Sequence, residues 1–599
     1  MIAAGGVAAV LRIPPLFATS LFVVVGLVLL AARSPRPLPR PRGFVLAGVL
    51  VLALAGAGAL IIQASVSINA WPNPCDDLMA YIPMADRLLA TSQVIEPWSV
   101  RRLQSLGGQT FLQAIPMGTL GIGAFSTVEM LTATTFLAGL FVASGFRRVA
   151  SLAACIVIVL VLAVLAVPRV NSAAVLLVVP LLVAGLGAVS EMRWSFAMGT
   201  TGLRWPVAGG LLLAGVVAVR IQAGPTLAAV VVLGVLTAAG APLRMRWQAL
   251  ATAGGTTGLA LIPWGIASWQ SVGTPAYPLI SGNANSAAPA LRDPSLHGFR
   301  EIVARAAELM QIGPYLAAAV SVLVVALVLR RWLPDAWLVV IAAAAVMMNM
   351  AVVGLLLTGA DRGSYARYTS PLSIALVLFF AYEAVRGSET AAAGRLPPIA
   401  RPLVLLAAAA LILGHVAYLL TPTSARVIRD SIESTGATLA DGGHHARFDD
   451  LLAARDVRGD YSAALDLAAH GGPVIAAVDH PYLIDYRRHD DIASLDLPGW
   501  AAPGGDFPFF DGAASKVRAL RRQGYSQLLA TDPDRHACLA AGALRTQVAG
   551  GSTMAMYFLD WDDGVSEIVA MAPQAVRRFG SLLLIDLDAA QRELPQEHR

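Results

Sequence analysis

Apolar runs close to membrane-crossing length, separated by short polar connections, fill the chain from residue 16 to residue 420. They fall at 16–32, 44–64, 119–143, 149–167, 173–190, 205–220, 226–241, 248–267, 313–330, 337–358, 370–385 and 402–420. A helix needs about 20 apolar residues to cross a bilayer, so the pattern predicts about twelve spans. The runs at 205–220 and 226–241 are short, which suits tilted, broken or re-entrant segments. Beyond Thr421 the apolar runs shrink to strand length: PVIAAVD (473–479), SQLLATD (526–532), MAMYFLD (554–560) and SLLLIDL (581–587). Between them lies a helical segment, 512–523, with Asp511 placed as its N-cap and Gly524 as its stop. The pattern therefore predicts a polytopic α-helical membrane protein of about 12 transmembrane helices over 1–421. A C-terminal extracytoplasmic α/β domain follows over 422–599.

Composition agrees with that division. Of the 599 residues, 57% are hydrophobic and 14% charged, against roughly a quarter charged in soluble chains. The basic residues gather in every second connection: Arg33, Arg36, Arg40 and Arg42; Arg147 and Arg148; Arg193 and Arg204; Arg244 and Arg246; Arg330 and Arg331; Arg386, Arg395 and Arg401. Short basic loops stay in the cytoplasm. That parity places the N-terminus, the loops 65–118, 268–312 and 359–369, and everything after 421 on the outer face of a cytoplasmic membrane. The net charge of +5 belongs to these loops and gives no reason to expect nucleic acid. The first apolar run lacks a small-residue cleavage pattern and reads as a span. Three cysteines make no disulfide framework: Cys155 lies within a span, whereas Cys75 and Cys538 both fall outside, where a bridge is open to them.

The candidate chemistry centres on 74–113, PCDDLMAYIPMADRLLATSQVIEPWSVRRLQSLGGQTFLQ. Leu78, Tyr81, Ile82, Ala85 and Leu89 share one helical face, predicting an amphipathic helix along the membrane surface with Asp76 and Asp77 at its mouth. One carboxylate suffices as an N-cap, which leaves the second for other chemistry. Arg101 and Arg102 read equally as lipid-phosphate anchors or as a clamp on a phosphate-bearing substrate. Arg220 ends a short span, where an arginine either snorkels to the surface or meets an anion. The loop GTPAYPLISGNANSAAP suits an ordered turn against a cavity. Arg362, Tyr365, Arg367 and Tyr368, in GADRGSYARYT, face a site or form a surface loop. His444, His445, Asp449 and Asp450 match no strong metal spacing. His480, Tyr482, Asp485 and Tyr486 form a polar cluster after a strand, placed to contact an acceptor or to cap a cavity. Nucleotide-binding and hydrolase signatures are absent from the sequence.

Through CDDLMAYIPMADRLL, RRLQSLGGQ and the later GTPAYP, the chain resembles the integral-membrane glycosyltransferases of the GT-C class, and the likeness in layout covers most of its length. The resemblance implies a first-loop aspartate as catalytic base, here Asp76 or Asp77, and a polyprenyl-phosphate-linked sugar as donor. The acceptor is a glycan, lipid or protein among membrane lipids. Substrate contacts then fall on Arg101, Arg102, Gln109, Arg220, Tyr277, Arg362, Arg367 and Tyr368. A divalent metal, Mg or Mn, on Asp76 and Asp77 is a further option that the arginines make dispensable. The alternatives are a polytopic transporter, for which broken charged helices and pseudo-repeated halves are not visible, and a non-catalytic scaffold whose outer domain binds a partner.

Overall fold

The computed structural model describes residues 2–32, 77–120, 177–199, 202–286, 314–356, 362–390, 457–536, 544–546, 548 and 553–595, apart from three single positions. The helical part comprises α1 (Ile2–Leu11), α2 (Pro15–Ala32), a π-helical turn (Asp77–Tyr81), α3 (Ile82–Thr91), α4 (Val100–Leu103) and α5 (Gly108–Leu120). It continues with α6 (Val178–Ala197), α7 (Arg204–Val219), α8 (Gly224–Leu236), α9 (Leu243–Val272), α10 (Pro314–Val328), α11 (Ala336–Leu356) and α12 (Arg362–Thr390). Helices α6, α8, α10, α11 and α12 share one apolar core that includes Val189, Leu227, Val322, Val339 and Phe379. A second core joins α1, α3, α5, the end of α7 and α9 around Trp264 and Phe111.

The expectation of about twelve spans is corrected. Among the described residues one helical window, Ala336–Val353, is long and apolar enough to cross a membrane. Ile2–Leu11, Pro15–Val25, Arg204–Val219, Ile221–Leu236, Tyr315–Val328 and Tyr368–Ala384 are apolar but shorter. Local chemistry ends several of the described helices. Pro14 and Pro15 follow Arg12, whose φ of 56° ends α1. Arg220 is extended at φ −152°, which ends α7 before Gly224 and Pro225 start α8. Helix α9 is 30 residues long but carries polar and small residues through ATAGGTTG. The runs predicted at 44–64, 149–167 and 402–420, and the run at 119–143 beyond residue 120, lie outside the described residues. So do Cys75, Cys155, Cys538, His444, His445, Asp449 and Asp450.

Many apolar side chains of these helices nevertheless face outward, among them Phe17, Phe22, Leu259, Ile262, Val328 and Met348. Faces of this kind mark surfaces that something else covers. One end of the bundle collects basic side chains. Arg193 pairs with Asp335 at 2.6 Å and donates to the Gly234 carbonyl, and Arg246 donates to the Leu236 and Ala241 carbonyls. The opposite end meets the α/β unit.

That unit contains α13 (Val457–Ala468), β1 (Val474–Ala477), β2 (Ala493–Ser494), α14 (Gly512–Arg522), β3 (Gln527–Thr531), α15 (Thr553–Met571), β4 (Val576–Phe579), β5 (Leu582–Asp586) and α16 (Leu587–Glu593). The sheet runs β2-β1-β3-β5-β4, with β2, β1 and β3 parallel and β5 and β4 antiparallel. Three of the four apolar runs form strands. The fourth, 554–560, lies in α15, because Ala555, Phe558, Trp561, Val565 and Ile568 are buried at three- and four-residue spacing. Gly524, at φ +92°, follows the end of α14, but Asp511 makes no side-chain cap bond there.

The two parts are locked together by 94–103 and 271–286. Asp496 accepts from Ser99 Oγ at 2.7 Å and from Val100 N at 3.0 Å, and pairs with Arg101 Nη1 at 3.2 Å. Trp98 is fully buried, donates Nε1–H to Tyr525 Oη at 2.8 Å and packs edge-on against Phe507. Asn283 Nδ2 donates to the Pro97 carbonyl, and Asn285 Nδ2 to the carbonyls of Gly499 and Phe507.

Candidate active site

The acidic stretch opens with a π-helical turn, Asp77–Tyr81, that runs into α3. Single π turns inside helices are often found at functional sites. Asp76 and the Asp77 side chain lie outside the described residues, so no metal ligand set is drawn from them. Among the described residues no group of three or more His, Cys, Asp or Glu side chains is arranged to hold a metal ion. Helix α3 does not lie along a surface as its periodicity predicts. Ile82, Met84, Ala85, Arg87 and Leu88 are all buried, because α5 covers one side of the helix and the α/β unit the other.

Arg87 secures that second side. Its guanidinium pairs with buried Glu96 at 3.3 Å, donates to the carbonyls of Ile492 and Asp490, and stands 5.4 Å from the Tyr486 ring centroid. Burial pushes the Glu96 carboxyl up against the pull of Arg87. One turn-face away, burial raises the Asp86 carboxyl to about 6, with Arg487 pulling it down and Asp485 adding to the rise. Of the cluster His480, Tyr482, Asp485 and Tyr486, Tyr486 thus serves α3. His480 and Tyr482 meet edge-on at 5.7 Å around the 3-10 turn Pro481–Leu483, which packs on the π turn.

The predicted phosphate contacts separate into two groups. Arg101 and Arg102 are corrected. Arg102 is 1% exposed and donates to the carbonyls of Val94 at 3.0 Å and Ser105 at 2.5 Å. Burial lowers its pKa to about 10, opposed by Glu96. Arg101 is held by Asp496 in the docking interface. Neither guanidinium faces an open substrate surface. Tyr277 is half-buried against the cluster of Val100, Leu103, Val272 and Ala501, and its loop is an ordered turn against the α/β unit rather than over a cavity.

Arg220 and Tyr368 form the second group, and the structure brings them together. The Arg220 guanidinium lies 4.8 Å from the Tyr368 ring centroid, and Arg220 is 7% exposed. The stretch 359–369 is not a loop throughout, since α12 begins at Arg362. Arg362, Arg367 and Tyr368 therefore share its first two turns. Across the break from α7 to α8, Asn349 of α11 donates to the Gln222 carbonyl at 2.8 Å and to Thr226 Oγ1 at 2.6 Å. That bond satisfies a carbonyl that the interrupted helix leaves open. Gln109 begins α5 beside Gly108, where a Cβ would lie 2.7 Å from the Ala218 carbonyl oxygen, so α5 abuts the end of α7 just before Arg220. Ala218 and Val219 belong to the same apolar core as Ile82, the residue following the π turn. One packed cluster thus spans from the Asp77 turn to the Arg220 break.

Three polar residues with no role in the sequence reading form a third feature. Asp479 follows β1, His536 follows the 3-10 turn after β3, and Asp562 lies on α15. His536 Nδ1 is 2.7 Å from Asp479 Oδ1, and Nε2 is 3.3 Å from Asp562 Oδ1. Burial acts to lower the His536 pKa, but hydrogen bonds to Asp479 and then Asp562 outweigh it and raise it to about 10. His536 is therefore an imidazolium at neutral pH. The chain leaves β1 for β2 on one side and reaches β3 on the other, so the C-terminal ends of β1 and β3 form the switch point where open α/β sheets bind ligands. Acids directly after the apolar runs, VDH and TDPDRH, were the available signal. Asp562 carried none while its segment read as a strand.

No protein-family model matches the chain, and no curated protein matches it.

Proposed function

We propose that the chain is a membrane-associated glycosyltransferase that moves a sugar from a polyprenyl-phosphate donor to a hydroxyl-bearing acceptor on the outer face of the cytoplasmic membrane. The observation that carries this reading is Arg220, buried at a helix break against Tyr368 and linked by one packed core to the turn that bears Asp77. A guanidinium held in place at a helix break is a donor of the kind that binds phosphate oxygens, and a lipid-borne phosphate is the anion proposed to meet it. The outward apolar faces of α2, α9, α10 and α11 suit contact with lipid.

In this reading Asp77, or its neighbour Asp76, takes the proton from the acceptor hydroxyl. The oxygen attacks the anomeric carbon as the bond to the phosphate oxygen breaks, inverting that carbon. The leaving lipid phosphate gains charge that Arg220 is proposed to stabilise. Placing the cation in a dry, prebuilt position strengthens its effect on the charge that develops.

The test is a membrane transfer assay with a panel of polyprenyl-phosphate sugars, comparing wild type with Asp76→Asn, Asp77→Asn and Arg220→Gln. The expected result is a loss of about 10²-fold or more for one aspartate variant and for Arg220→Gln, with thermal midpoints kept. Full transfer by both aspartate variants would sink the proposal. Lost uptake of a solute with transfer unchanged would favour a transporter, and no effect on either a scaffold.

A further inference from the structure

The cavity at the sheet's switch point lies beside the proposed catalytic turn and has no part in the chemistry above. Its walls are Met79, from the π turn, together with Leu495, Pro498, Phe558 and Trp561, and its polar end is Asp479, His536 and Asp562. His536 engages one oxygen of each acid. Asp562 is 5% exposed, and its second oxygen, Oδ2, is buried without a hydrogen-bond partner. A buried carboxylate oxygen with no donor is costly to leave unpaired. It calls for a donor from outside the chain.

The kind of donor follows from the surroundings. A divalent cation takes several oxygen ligands, whereas this site offers one open oxygen and sets an imidazolium next to it, which repels a cation. A hydroxyl fits both demands: it donates one hydrogen bond to Asp562 Oδ2 and lays its carbon skeleton against the apolar wall. The narrow cavity admits a hydroxyl or hydroxymethyl arm rather than a whole sugar ring.

We propose that the Asp479–His536–Asp562 cavity is a hydroxyl-recognising subsite for a neutral polyol or sugar acceptor, entered beside Met79. The imidazolium is a positioning group that holds Asp562 so that its free oxygen faces the ligand. Met79 belongs to the same π turn as Asp77, so the subsite borders the turn that bears the proposed base. In that sense the inference rests on the transferase reading and names the acceptor's binding place.

The experiment measures binding without donor, so the two claims can fail separately. Methyl glycosides of a hexose and of a pentose are titrated into the full chain in lipid nanodiscs, followed by saturation-transfer NMR. Wild type is compared with Asp562→Asn and with Leu495→Phe, which narrows the cavity without touching a charge. The expected result is binding of at least one glycoside, weakened tenfold or more by Asp562→Asn and by Leu495→Phe. Equal affinity across wild type and both cavity variants would overturn the subsite, as would absence of binding of either glycoside to wild type. Binding that depends on Asp562, in a chain that transfers no sugar, would keep the subsite and remove the transferase reading.

Discussion

Replacing Asp496 should undo the docking of the α/β unit on the helices. Its side chain is 2% exposed and receives Ser99 Oγ at 2.7 Å, Val100 N at 3.0 Å, Arg101 N at 3.4 Å and Arg101 Nη1 at 3.2 Å. It thereby closes the N-terminal end of α4 from another part of the chain. Hydrogen bonds to a charged group contribute about 1.5–3 kcal/mol each and do not add simply. Removing one member of a buried pair costs about 3–5 kcal/mol, because the other is left uncompensated. Asp496→Ala should therefore destabilise by about 3–5 kcal/mol, a fall of ~2–4 °C in the thermal midpoint of a chain this long. Asp496→Asn keeps acceptor oxygen and shape and should lose about half as much. The assay is thermal unfolding of the detergent-solubilised chain by tryptophan fluorescence, since Trp98 is buried in the same interface. Limited proteolysis across 94–103 runs alongside it. An Asp496→Ala midpoint within 1 °C of wild type, with proteolysis unchanged, would refute the account of how the two parts are held.

The remaining expectations concern α3 and α5. The Asp86 carboxyl is raised from its ordinary 3.8 to about 6 by burial. Its contribution to stability is therefore fully present below about pH 3.8 and lost as pH rises through about 6. Asp86→Asn should stabilise the fold by about 1–2 kcal/mol at pH 8 and progressively less towards pH 5, as read from thermal midpoints across that range; a constant difference would contradict it. At Gly108 a Cβ would lie 2.7 Å from the Ala218 carbonyl oxygen, so Gly108→Ala must push α5 away from the end of α7. Overpacking of this kind costs about 1–3 kcal/mol. The same shift should lower transfer by disturbing Arg220, and a variant with wild-type midpoint and activity would show that the contact is not tight.

The chain's layout was partly legible because apolar runs report burial without naming what they are buried against. Strands at 474–477, 527–531 and 582–586 follow from short apolar runs, since a strand inside a sheet is covered on both faces. The same reasoning failed at 554–560, where an apolar segment of helical spacing looks like a strand over seven residues. Arg220 and Tyr368 were each singled out from sequence. Their meeting was not foreseeable, because it depends on α12 starting at Arg362 and packing beside α6, α10 and α11. Arg101 and Arg102 were misread for the opposite reason. Two arginines beside a candidate acid look free until Asp496, almost 400 residues away, claims one and local carbonyls claim the other.

By itself the sequence determined where the chain is apolar, where it turns polar, and which charged residues interrupt apolar helices, because those are properties of neighbours along the backbone. Only the tertiary structure decided which of those charges are already paired, how long each helix runs before an arginine or proline ends it, and that Asp479, His536 and Asp562 share one cavity with Met79. Those outcomes depend on contacts between segments hundreds of residues apart, which no local pattern records.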